Sequence, residues 1–445
     1  MQRRAFIAKA ATGAVAVTWS ALSAARVSGA NDRIAIALVG CGIEGMGIAG
    51  FAAKSGLNAD IVAVCDVYEP HLTLGRETLR ASRTYKDFRR VLEDKDVDAV
   101  MVATPDHWHG TISVLACQAG KDVYCEKPLA HNILEGRKLV NTAHRYNRVV
   151  QMGNQGRTAL HIAEAVQIIR SGQLGEVRFA RVWDTVNGYP ASGVPGAPTP
   201  GSAPRPGLDW DFFLGPAPAV PFNDQRFRDW RSFYDYGGGL MTDMGVHLMD
   251  TVQRALGCDA PLSVHALGKR YLLKGGDVPD ILQVTYDYPD FVLAYESRLL
   301  NGFGMGNRSA GLKYHYPTGE FDRPHGMAFF GTNGTLFADP DCYEIFPETK
   351  GKSEYRMERK LVQTPDGTNG KPLHVKNWIE CLRSRKAPNS EVEIGHRASI
   401  TAHLGNIAWK VGKTLYWDRE TEDFKDCPEA SKLRGREPRQ AYAWI

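Results

Sequence analysis

Apolar positions in the first third of the chain fall in short continuous runs, and most of these runs are followed by a stretch with helical spacing. Continuous apolar runs of about four to eight residues are typical of strands buried on both faces of a parallel sheet. The pattern therefore predicts an α/β domain. Its predicted strands are Arg33–Val39, Asp60–Cys65, Val97–Thr104, Asp122–Cys125 and Val149–Gly153, with an amphipathic helix at Leu134–Tyr146.

Later strands show a different pattern, in which apolar and polar residues alternate. Alternation is typical of a strand with one buried and one exposed face. Such segments are Glu176–Trp183, Leu262–Leu272, Ile281–Tyr288, Phe291–Leu299 and Met327–Phe330, and helices are predicted at Leu240–Leu256, Val375–Ser384 and Val392–Val411. We therefore predict an α/β domain over residues 31–153, followed by an α+β domain over residues 154–445 with a mainly antiparallel sheet.

A Pro- and Gly-rich segment, residues 186–222, interrupts the second domain. A long loop inside a compact domain usually serves as a lid, a binding loop or an arm that reaches another subunit. A passive surface excursion is the alternative. The segment contains the aromatic stretch Leu208–Pro216, which is too apolar to stay in solvent, so we expect that stretch to dock on the protein.

A glycine-rich turn, Gly40-Cys41-Gly42-Ile43-Glu44-Gly45, joins the first strand to the first helix. In a dinucleotide fingerprint, the position of Gly40 allows the tight turn, that of Gly42 lets the backbone approach a pyrophosphate, and that of Gly45 lets the helix pack closely on the strand. The helix amino end then faces phosphate. Ile43 and Glu44 would lie beside the cofactor, although a carboxylate is an unfavourable neighbour for phosphate.

The second strand ends in Asp66, about 20 residues after this turn, where a carboxylate accepts hydrogen bonds from both ribose hydroxyls. The same carboxylate would repel the 2′-phosphate of NADP, so NAD is the predicted cofactor and NADP the less favoured one. This order of a strand, a helix, a second strand and a terminal acid is the order that a dinucleotide-binding site requires. The alternative is a structural glycine-rich turn in an α/β domain that binds no nucleotide.

The third strand ends in Thr104 and Pro105, and His109 follows at the start of a helix. These residues suit a wall beside the nicotinamide ribose, because the carboxyl ends of parallel strands meet at the ligand-binding edge of the sheet. His107 and His109 have no Cys or further acid at a spacing typical of metal sites. We therefore predict no metal centre.

Three further residues suggest chemistry at the same edge. Lys127 follows the fourth strand, and Asp243 and His247 lie four residues apart on a predicted helix, hence on one face. Oxidation of a carbinol needs a group that accepts the hydroxyl proton, for which His247 is suited. Lys127 would polarise the oxygen and Asp243 would hold a hydroxyl or orient the base. The alternative for Asp243 and His247 is a buried hydrogen-bonded pair.

Aromatic and basic residues cluster between the loop and this helix. Trp230, Arg231 and Tyr236 are suited to stacking on a sugar and hydrogen-bonding its hydroxyls, so we predict that they contact substrate. Packing and surface charge are the alternative roles for each of them.

Charge and composition narrow the possible partners. The formal charge of +4 comes from residues 1–30, which hold four basic residues and no acid; the remainder has 50 basic and 50 acidic residues. Because the chain after residue 30 has no net charge, a nucleic-acid or anionic-membrane partner is not expected. The eight cysteines include no CxxC pair, so neither a structural zinc nor an essential disulfide is predicted.

Residues 1–30 have the order of an export signal: the twin arginine Arg3-Arg4, the weakly apolar run Ala10–Leu22 and the small residues Ser28-Gly29-Ala30. The apolar run is too short to span a bilayer, so no membrane anchor is expected. The segment predicts recognition by the twin-arginine export machinery and a periplasmic or secreted protein. An amphipathic or disordered amino terminus is the alternative.

With these motifs, the chain resembles the glucose–fructose oxidoreductase/inositol dehydrogenase (Gfo/Idh/MocA) family. The matching motifs are Gly40–Gly45, Ala103-Thr104-Pro105 with His109, Glu126-Lys127-Pro128 and Asp243-Met244-Gly245-Val246-His247. The resemblance implies that Lys127, Asp243 and His247 are the catalytic residues and that Glu126 and Gln155 lie by the nicotinamide. It also implies a Rossmann domain, an open sheet that packs subunits into homodimers or homotetramers, and sugar, inositol or related substrates. The export signal fits a secreted bacterial branch.

Three functions remain open from the sequence. The first is an exported oxidoreductase of a sugar, polyol or glycoside carbinol with a tightly held cofactor, because the periplasm has no soluble NAD pool. The second is an NAD-dependent glycosidase or lyase that oxidises its substrate transiently, eliminates and re-reduces. The third is a non-catalytic sugar-binding or scaffold protein on the same fold, which the joint presence of Lys127, Asp243 and His247 disfavours.

Overall fold

The computed structural model describes residues 33–186, 203–271, 275–306, 309, 322–364 and 369–445. The predicted export signal and residues 187–202 of the predicted loop lie outside these ranges. No helix in the described part of the chain combines the length and apolarity needed to cross a bilayer. All eight cysteines are free thiols, and six of them are buried.

The first sheet has six parallel strands in the order β3-β2-β1-β4-β5-β6. Its strands are β1 Ile34–Val39, β2 Ala59–Cys65, β3 Arg83–Tyr85, β4 Ala99–Val102, β5 Asp122–Cys125 and β6 Val150–Met152. The order reverses direction between β1 and β4, and the carboxyl ends of these two strands therefore flank a crevice. The glycine turn leaves β1 on this side.

The second sheet has ten strands in the order β16-β13-β12-β11-β7-β10-β9-β8-β17-β18. β7 and β10 pair in parallel, whereas the other neighbouring strands pair antiparallel. The strands are β7 Val177–Thr185, β8 Ser263–Lys269, β9 Ile281–Asp287, β10 Val292–Arg298, β11 His325–Gly331, β12 Gly334–Ala338, β13 Cys342–Pro347, β16 Lys360–Gln363, β17 Leu415–Asp418 and β18 Asp423–Lys425, with a separate hairpin of β14 Thr349–Lys350 and β15 Glu354–Tyr355. A parallel sheet followed by a mixed, mainly antiparallel one confirms the predicted fold class.

Helices pack against both sheets. They are α1 Ile43–Ala53, α2 Glu69–Leu79, α3 Phe88–Glu93, α4 Asp106–Gln118, α5 Ile133–Arg145, α6 Leu160–Arg170, α7 Trp210–Leu214, α8 Asp224–Arg228, α9 Val246–Leu256, α10 Lys371–Ser384, α11 Val392–Val411 and α12 Pro428–Lys432. Short 3₁₀ turns occur at Gln155–Arg157, Trp230–Ser232 and Gln440–Tyr442. The helix predicted at Leu240–Leu256 contains a π-helical turn, Met241–Gly245, before α9.

Helix α10 comes late in the chain but packs against the first sheet. Val375, Trp378 and Ile379 are fully buried in one apolar cluster with Ile36 of β1. The Trp378 and Tyr124 rings meet edge to face with centroids 5.6 Å apart. The first sheet is therefore completed by a helix that follows the second sheet in sequence.

The predicted docking of Leu208–Pro216 is confirmed, because Trp210, Phe213 and Leu214 are buried. The end of the chain packs over the neighbouring surface: the Trp444 ring lies 5.9 Å from that of Trp108. Arg439 donates to the carbonyl of Gly215 at 2.7 Å, which ties the tail to the docked stretch.

Candidate active site

The glycine turn is shaped by close backbone contacts. Gly40 has φ +95°, and a Cβ there would lie 2.4 Å from the carbonyl oxygen of Ala103. A Cβ on Gly45 would lie 2.0 Å from the carbonyl oxygen of Gly40. Around Gly42, by contrast, no atom of the described residues comes within 4 Å of the Cβ position. The turn is thus tight on its inner side and open above the amino end of α1, as a backbone that receives a pyrophosphate requires.

The two residues that follow Gly42 differ in their surroundings. Ile43 is 96% exposed, which is unusual for a large apolar side chain and leaves it available to cover a ligand. Glu44 forms an ion pair with Lys371, whose Nζ lies 2.9 Å from each carboxylate oxygen. The structure therefore pairs the acid that the sequence placed unfavourably beside phosphate.

Asp66 stands at the carboxyl end of β2, beside the glycine turn. Its carboxylate accepts hydrogen bonds from the backbone N–H of Cys41 at 2.8 Å and of Tyr68 at 2.9 Å. Nδ1 of His71 lies 3.6 Å from the same group. These contacts fix the carboxylate at the edge where the fingerprint expects the ribose, and each oxygen keeps a further lone pair.

Thr104, Pro105 and His109 form the end of β4 and the start of α4. The hydroxyl of Thr104 is buried and has no hydrogen-bond partner within the described ranges. The ring nitrogens of His109 lie 2.7 Å from the carbonyl oxygen of Pro128 and 2.9 Å from that of Thr104. Burial lowers the pKa of His109 to about 4, so the ring is neutral and donates to one of these two carbonyl oxygens. Direct contact between His109 and a cofactor stays a prediction.

Lys127 lies just beyond β5 and reaches across to the second domain. Its ammonium group forms an ion pair with the carboxylate of Asp243 in the π-helical turn. Nε of Arg231 lies 3.2 Å from the same carboxylate oxygen. The structure therefore brings together two of the three predicted catalytic residues and one predicted substrate residue.

His247 lies one turn further along, at the start of α9. Its Nδ1 lies 2.6 Å from Oδ1 of Asn154, which follows β6. Burial, and after it the charge of Lys127, hold the pKa of His247 well below its usual range. A neutral ring that donates from Nδ1 keeps its lone pair on Nε2, the form that accepts a proton. Asn154 was not predicted as a site residue, because an Asn after a strand has no local signature.

The π-helical turn changes how Asp243 and His247 are presented. Such turns are rare and frequently occur at functional sites. The four-residue spacing was expected to place both side chains on one face of a regular α-helix. Instead Asp243 lies in the widened turn, paired with Lys127, while His247 begins the regular helix and is paired with Asn154.

Asp106 is a second acid that sequence reasoning did not select. It is 5% exposed at the first position of α4, and the hydroxyl of Thr242 lies 3.4 Å from its carboxylate. Burial raises the pKa of Asp106 to about 7, while the charges of Lys127 and Arg231 lower it. Its place in the sequence, directly after Thr104-Pro105, was the only feature that could have predicted a role for Asp106 in the site.

Glu126 and Gln155 lie at the ends of β5 and β6. Glu126 is 6% exposed; Oε2 accepts from the backbone N–H of Lys127 at 3.2 Å, whereas Oε1 has no partner among the described residues. Burial, and next the charge of Glu44, raise the pKa of Glu126 to about 8, so the carboxyl is largely protonated at neutral pH. Gln155 is 7% exposed, in the 3₁₀ turn that follows Asn154.

The predicted substrate residues separate into two groups. Trp230 and Arg231 are partly exposed, and the Arg231 guanidinium lies 4.1 Å above the Trp230 ring. Tyr236, however, is fully buried in an aromatic cluster with Phe213 and Phe233, and its hydroxyl accepts from Arg226 at 3.1 Å. The prediction that Tyr236 contacts substrate is therefore wrong, because the ring fills the core beneath the docked loop.

These residues fit a nicotinamide dinucleotide. The open space over Gly42, the exposed Ile43 and the fixed carboxylate of Asp66 suit the pyrophosphate and ribose. The unpartnered oxygen of Glu126 suits the nicotinamide end. No group of three or more His, Cys, Asp or Glu in the described part of the chain has a geometry that would hold a metal ion.

Two family models match the chain. The model of the Gfo/Idh/MocA oxidoreductase family, NAD-binding Rossmann fold, matches residues 34–154, and that of the family's C-terminal alpha/beta domain matches residues 198–292. Both matched segments are therefore those of the Gfo/Idh/MocA oxidoreductase family. The first six-stranded sheet lies within the segment matched by the NAD-binding Rossmann model.

Curated relatives match over part of their length. Inositol 2-dehydrogenase from Salmonella paratyphi B is 30% identical over 169 residues, which are 36% of this chain and 48% of that protein. D-glucoside 3-dehydrogenase from Escherichia coli K12 is 26% identical over 207 residues, 46% of this chain and 49% of that protein. The chain spans about half the length of these two relatives.

Solved structures of lower sequence identity share the fold. Levoglucosan dehydrogenase, in complex with NADH and levoglucosan, superposes with a TM-score of 0.65 at 16% identity, over 86% of this chain and 99% of that one. At this identity the likeness shows the shared fold.

Proposed function

We propose that the protein is an NAD-dependent oxidoreductase that acts on a carbinol of a sugar, polyol or glycoside. The observation that carries the proposal is the Lys127–Asp243 ion pair just beyond β5, with the neutral His247 at the start of α9, the helix that directly follows the turn holding Asp243. The relatives named for inositol and D-glucoside oxidation support a polyhydroxylated substrate.

The chemistry divides between two side chains. Nε2 of His247 accepts the proton of the substrate hydroxyl, because Asn154 holds Nδ1 in the donor form. Lys127 donates to the same oxygen and stabilises the negative charge that develops as the proton leaves. When bound, the nicotinamide of NAD supplies the hydride acceptor. Asp243 holds the ammonium group of Lys127 in place, and Arg231 in turn holds the carboxylate of Asp243.

Substrate recognition falls to the second domain. Arg231 offers guanidinium donors next to the Lys127–Asp243 pair, and its guanidinium lies over one face of the partly exposed Trp230 ring. Guanidinium N–H groups are donors suited to the hydroxyl oxygens of a sugar. This arrangement supports a carbohydrate or polyol rather than an apolar alcohol.

NAD is proposed over NADP because of Asp66. Its carboxylate is held by two backbone N–H groups and would meet the 2′-phosphate of NADP with a like charge. A direct comparison of the affinities for NADH and NADPH tests this preference.

The protein is further proposed to be exported through the twin-arginine route and to work in the periplasm or outside the cell. The order of Arg3-Arg4, the apolar run and the small residues at 28–30 supports this. An exported enzyme must carry its nucleotide with it, so we propose a tightly held cofactor that a second substrate recharges. A fusion of residues 1–30 to a reporter tests export: an Arg3→Lys/Arg4→Lys variant should stay in the cytoplasm.

A homodimer or homotetramer is proposed through the outer face of the ten-stranded sheet. Phe179 and Val292 are cross-strand neighbours on that face, and Leu267 lies on the same face two strands from Val292; they are 39%, 37% and 66% exposed. Exposed apolar side chains grouped on one sheet face are typical of subunit contacts. The mass of the purified protein in solution tests this proposal, and a monomer at working concentration would contradict it.

The activity is tested with a panel of hexoses, polyols and glycosides, with product analysis and nicotinamide absorbance followed together. A ketone with stoichiometric NADH supports the oxidoreductase. Cleavage of a glycoside without net NADH would instead favour the transient-oxidation mechanism. Lys127→Met and His247→Ala should lower turnover by about 10²-fold or more, whereas the exposed Lys376→Met should not; full activity in the first two variants would refute the proposed site.

A further inference from the structure

A lysine from the far end of the chain sits against the glycine turn. Lys371 is the first residue of α10, and its Nζ lies 2.9 Å from both carboxylate oxygens of Glu44. Glu44 is the second residue of α1, inside the fingerprint itself. The two side chains are 30% and 40% exposed, so the pair lines an open crevice rather than the core.

The local sequence of α10 does not account for a lysine at this place. A cation at the first position of a helix meets the positive end of the helix dipole, which is mildly unfavourable. The described residues provide no acid in the first turn of α10 to offset it. The pairing with Glu44 supplies the missing compensation.

The position of Lys371 is fixed by packing. Val375, Trp378 and Ile379 of α10 are fully buried against the first sheet. Packing of α10 on the first sheet therefore fixes the backbone of Lys371 beside the glycine turn.

A second acid lies within the same field. Glu126 is 6% exposed, and its Oε1 has no partner in the described part of the chain. Burial and then the charge of Glu44 raise the pKa of Glu126, whereas the charges of Lys127 and Lys371 lower it. The cofactor edge thus holds two carboxyl groups, and Lys371 pairs with one of them.

We infer that Lys371 is a positioning residue of the nucleotide site, which neutralises Glu44 so that an acidic glycine turn accepts a dinucleotide pyrophosphate. The inference rests on the proposed function. Without Lys371, the Glu44 carboxylate would face the phosphate negative charge across a partly solvated gap, where like charges repel appreciably at low ionic strength.

The test is the rate at which bound NADH leaves the full-length protein, followed by its fluorescence after mixing with excess ADP-ribose. The variants are Lys371→Met, Lys371→Arg, Glu44→Gln and the double variant, with Lys376→Met as the matched control. Lys376 is on the same helix and pairs loosely with Glu380 at 4.0 Å, exposed to solvent.

Release from Lys371→Met should be about tenfold faster at low salt, and the difference should shrink at high salt. Lys371→Arg and Lys376→Met should release NADH like the wild type. Adding Glu44→Gln to Lys371→Met should restore the wild-type rate, since the repelling charge is gone. A lysine that only stabilises α10 would not be rescued in this way.

An unchanged release rate in Lys371→Met, or a fast rate that Glu44→Gln does not correct, would overturn this inference alone. A wild-type protein that binds neither NADH nor NADPH would overturn it together with the proposed function.

Discussion

The hydrogen bond between His247 and Asn154 makes the sharpest mechanistic prediction. Asn154 is fully buried, and its Oδ1 lies 2.6 Å from Nδ1 of His247. Asn154→Ala removes the only hydrogen-bond acceptor that the described residues offer to Nδ1. The ring is then free to carry its proton on Nε2, where it cannot accept the substrate proton.

The magnitude follows from the chemistry of such a contact. By analogy with metal-binding histidines, whose orienting partners are worth about 10–100-fold in activity, we expect a loss of this size here. A buried donor left without an acceptor also costs roughly 1–3 kcal/mol of stability. We therefore expect kcat/KM to fall by about that factor, with most of the loss in kcat, because Asn154 orients the base and is not expected to bind the sugar.

A second variant distinguishes the orientation of the His247 ring from a general loss of protein stability. In Asn154→Asp, a carboxylate facing the imidazole favours the protonated ring, so the pKa of His247 should rise. The base would then be protonated at a higher pH than in the wild type, whose His247 pKa is held well below 6.5. The acid limb of kcat/KM should move upward in pH accordingly.

The assay is kcat/KM for sugar oxidation across pH, with the exposed Asn389→Ala as control. Wild-type rates in Asn154→Ala, or an acid limb in Asn154→Asp that stays where the wild type has it, would refute the role assigned to this contact.

Three further predictions concern charge in the site. Lys127→Met should lower kcat by about 10²–10³-fold while NADH binding persists, and a kcat within a few-fold of the wild type would contradict its role. Asp66→Asn should narrow the preference for NADH over NADPH about tenfold or more, measured as the ratio of dissociation constants; an unchanged ratio would remove Asp66 as the selector. Asp106 has a pKa of about 7 in the folded protein against an ordinary value of 3.8, so its contribution to stability is full below about pH 4 and lost by about pH 7. In urea unfolding, the free energy of unfolding of the wild type should therefore fall relative to that of Asp106→Asn by roughly 1.4 kcal/mol per pH unit in that window. Parallel pH profiles of the two proteins would show that the pKa of Asp106 is not perturbed.

Local patterns predicted the fold class and the nucleotide turn. Apolar runs, a glycine turn and the acid at the end of β2 are set by neighbours in sequence, so the sequence alone places Gly40, Gly42, Gly45 and Asp66 at one edge. The motif around Lys127 and the Asp243–His247 spacing likewise pointed to one site, although the π-helical turn was not foreseen.

Contacts between distant segments could not be predicted in the same way. Asn154, Asp106 and Lys371 acquire their roles only when strand ends, loops and α10 meet in three dimensions. Tyr236 shows the opposite error: its residue type and its neighbours suggested sugar binding, but the docked loop buries it fully. The sequence shows that an aromatic residue stands at this position, whereas tertiary packing decides whether its side chain faces the substrate or the core.

The most direct test of the central claim is mass spectrometry of the nucleotide released when the purified mature protein is denatured. The proposed function predicts NAD or NADH at close to one molecule per chain. A protein that releases no nucleotide and takes up neither NADH nor NADPH would contradict the account.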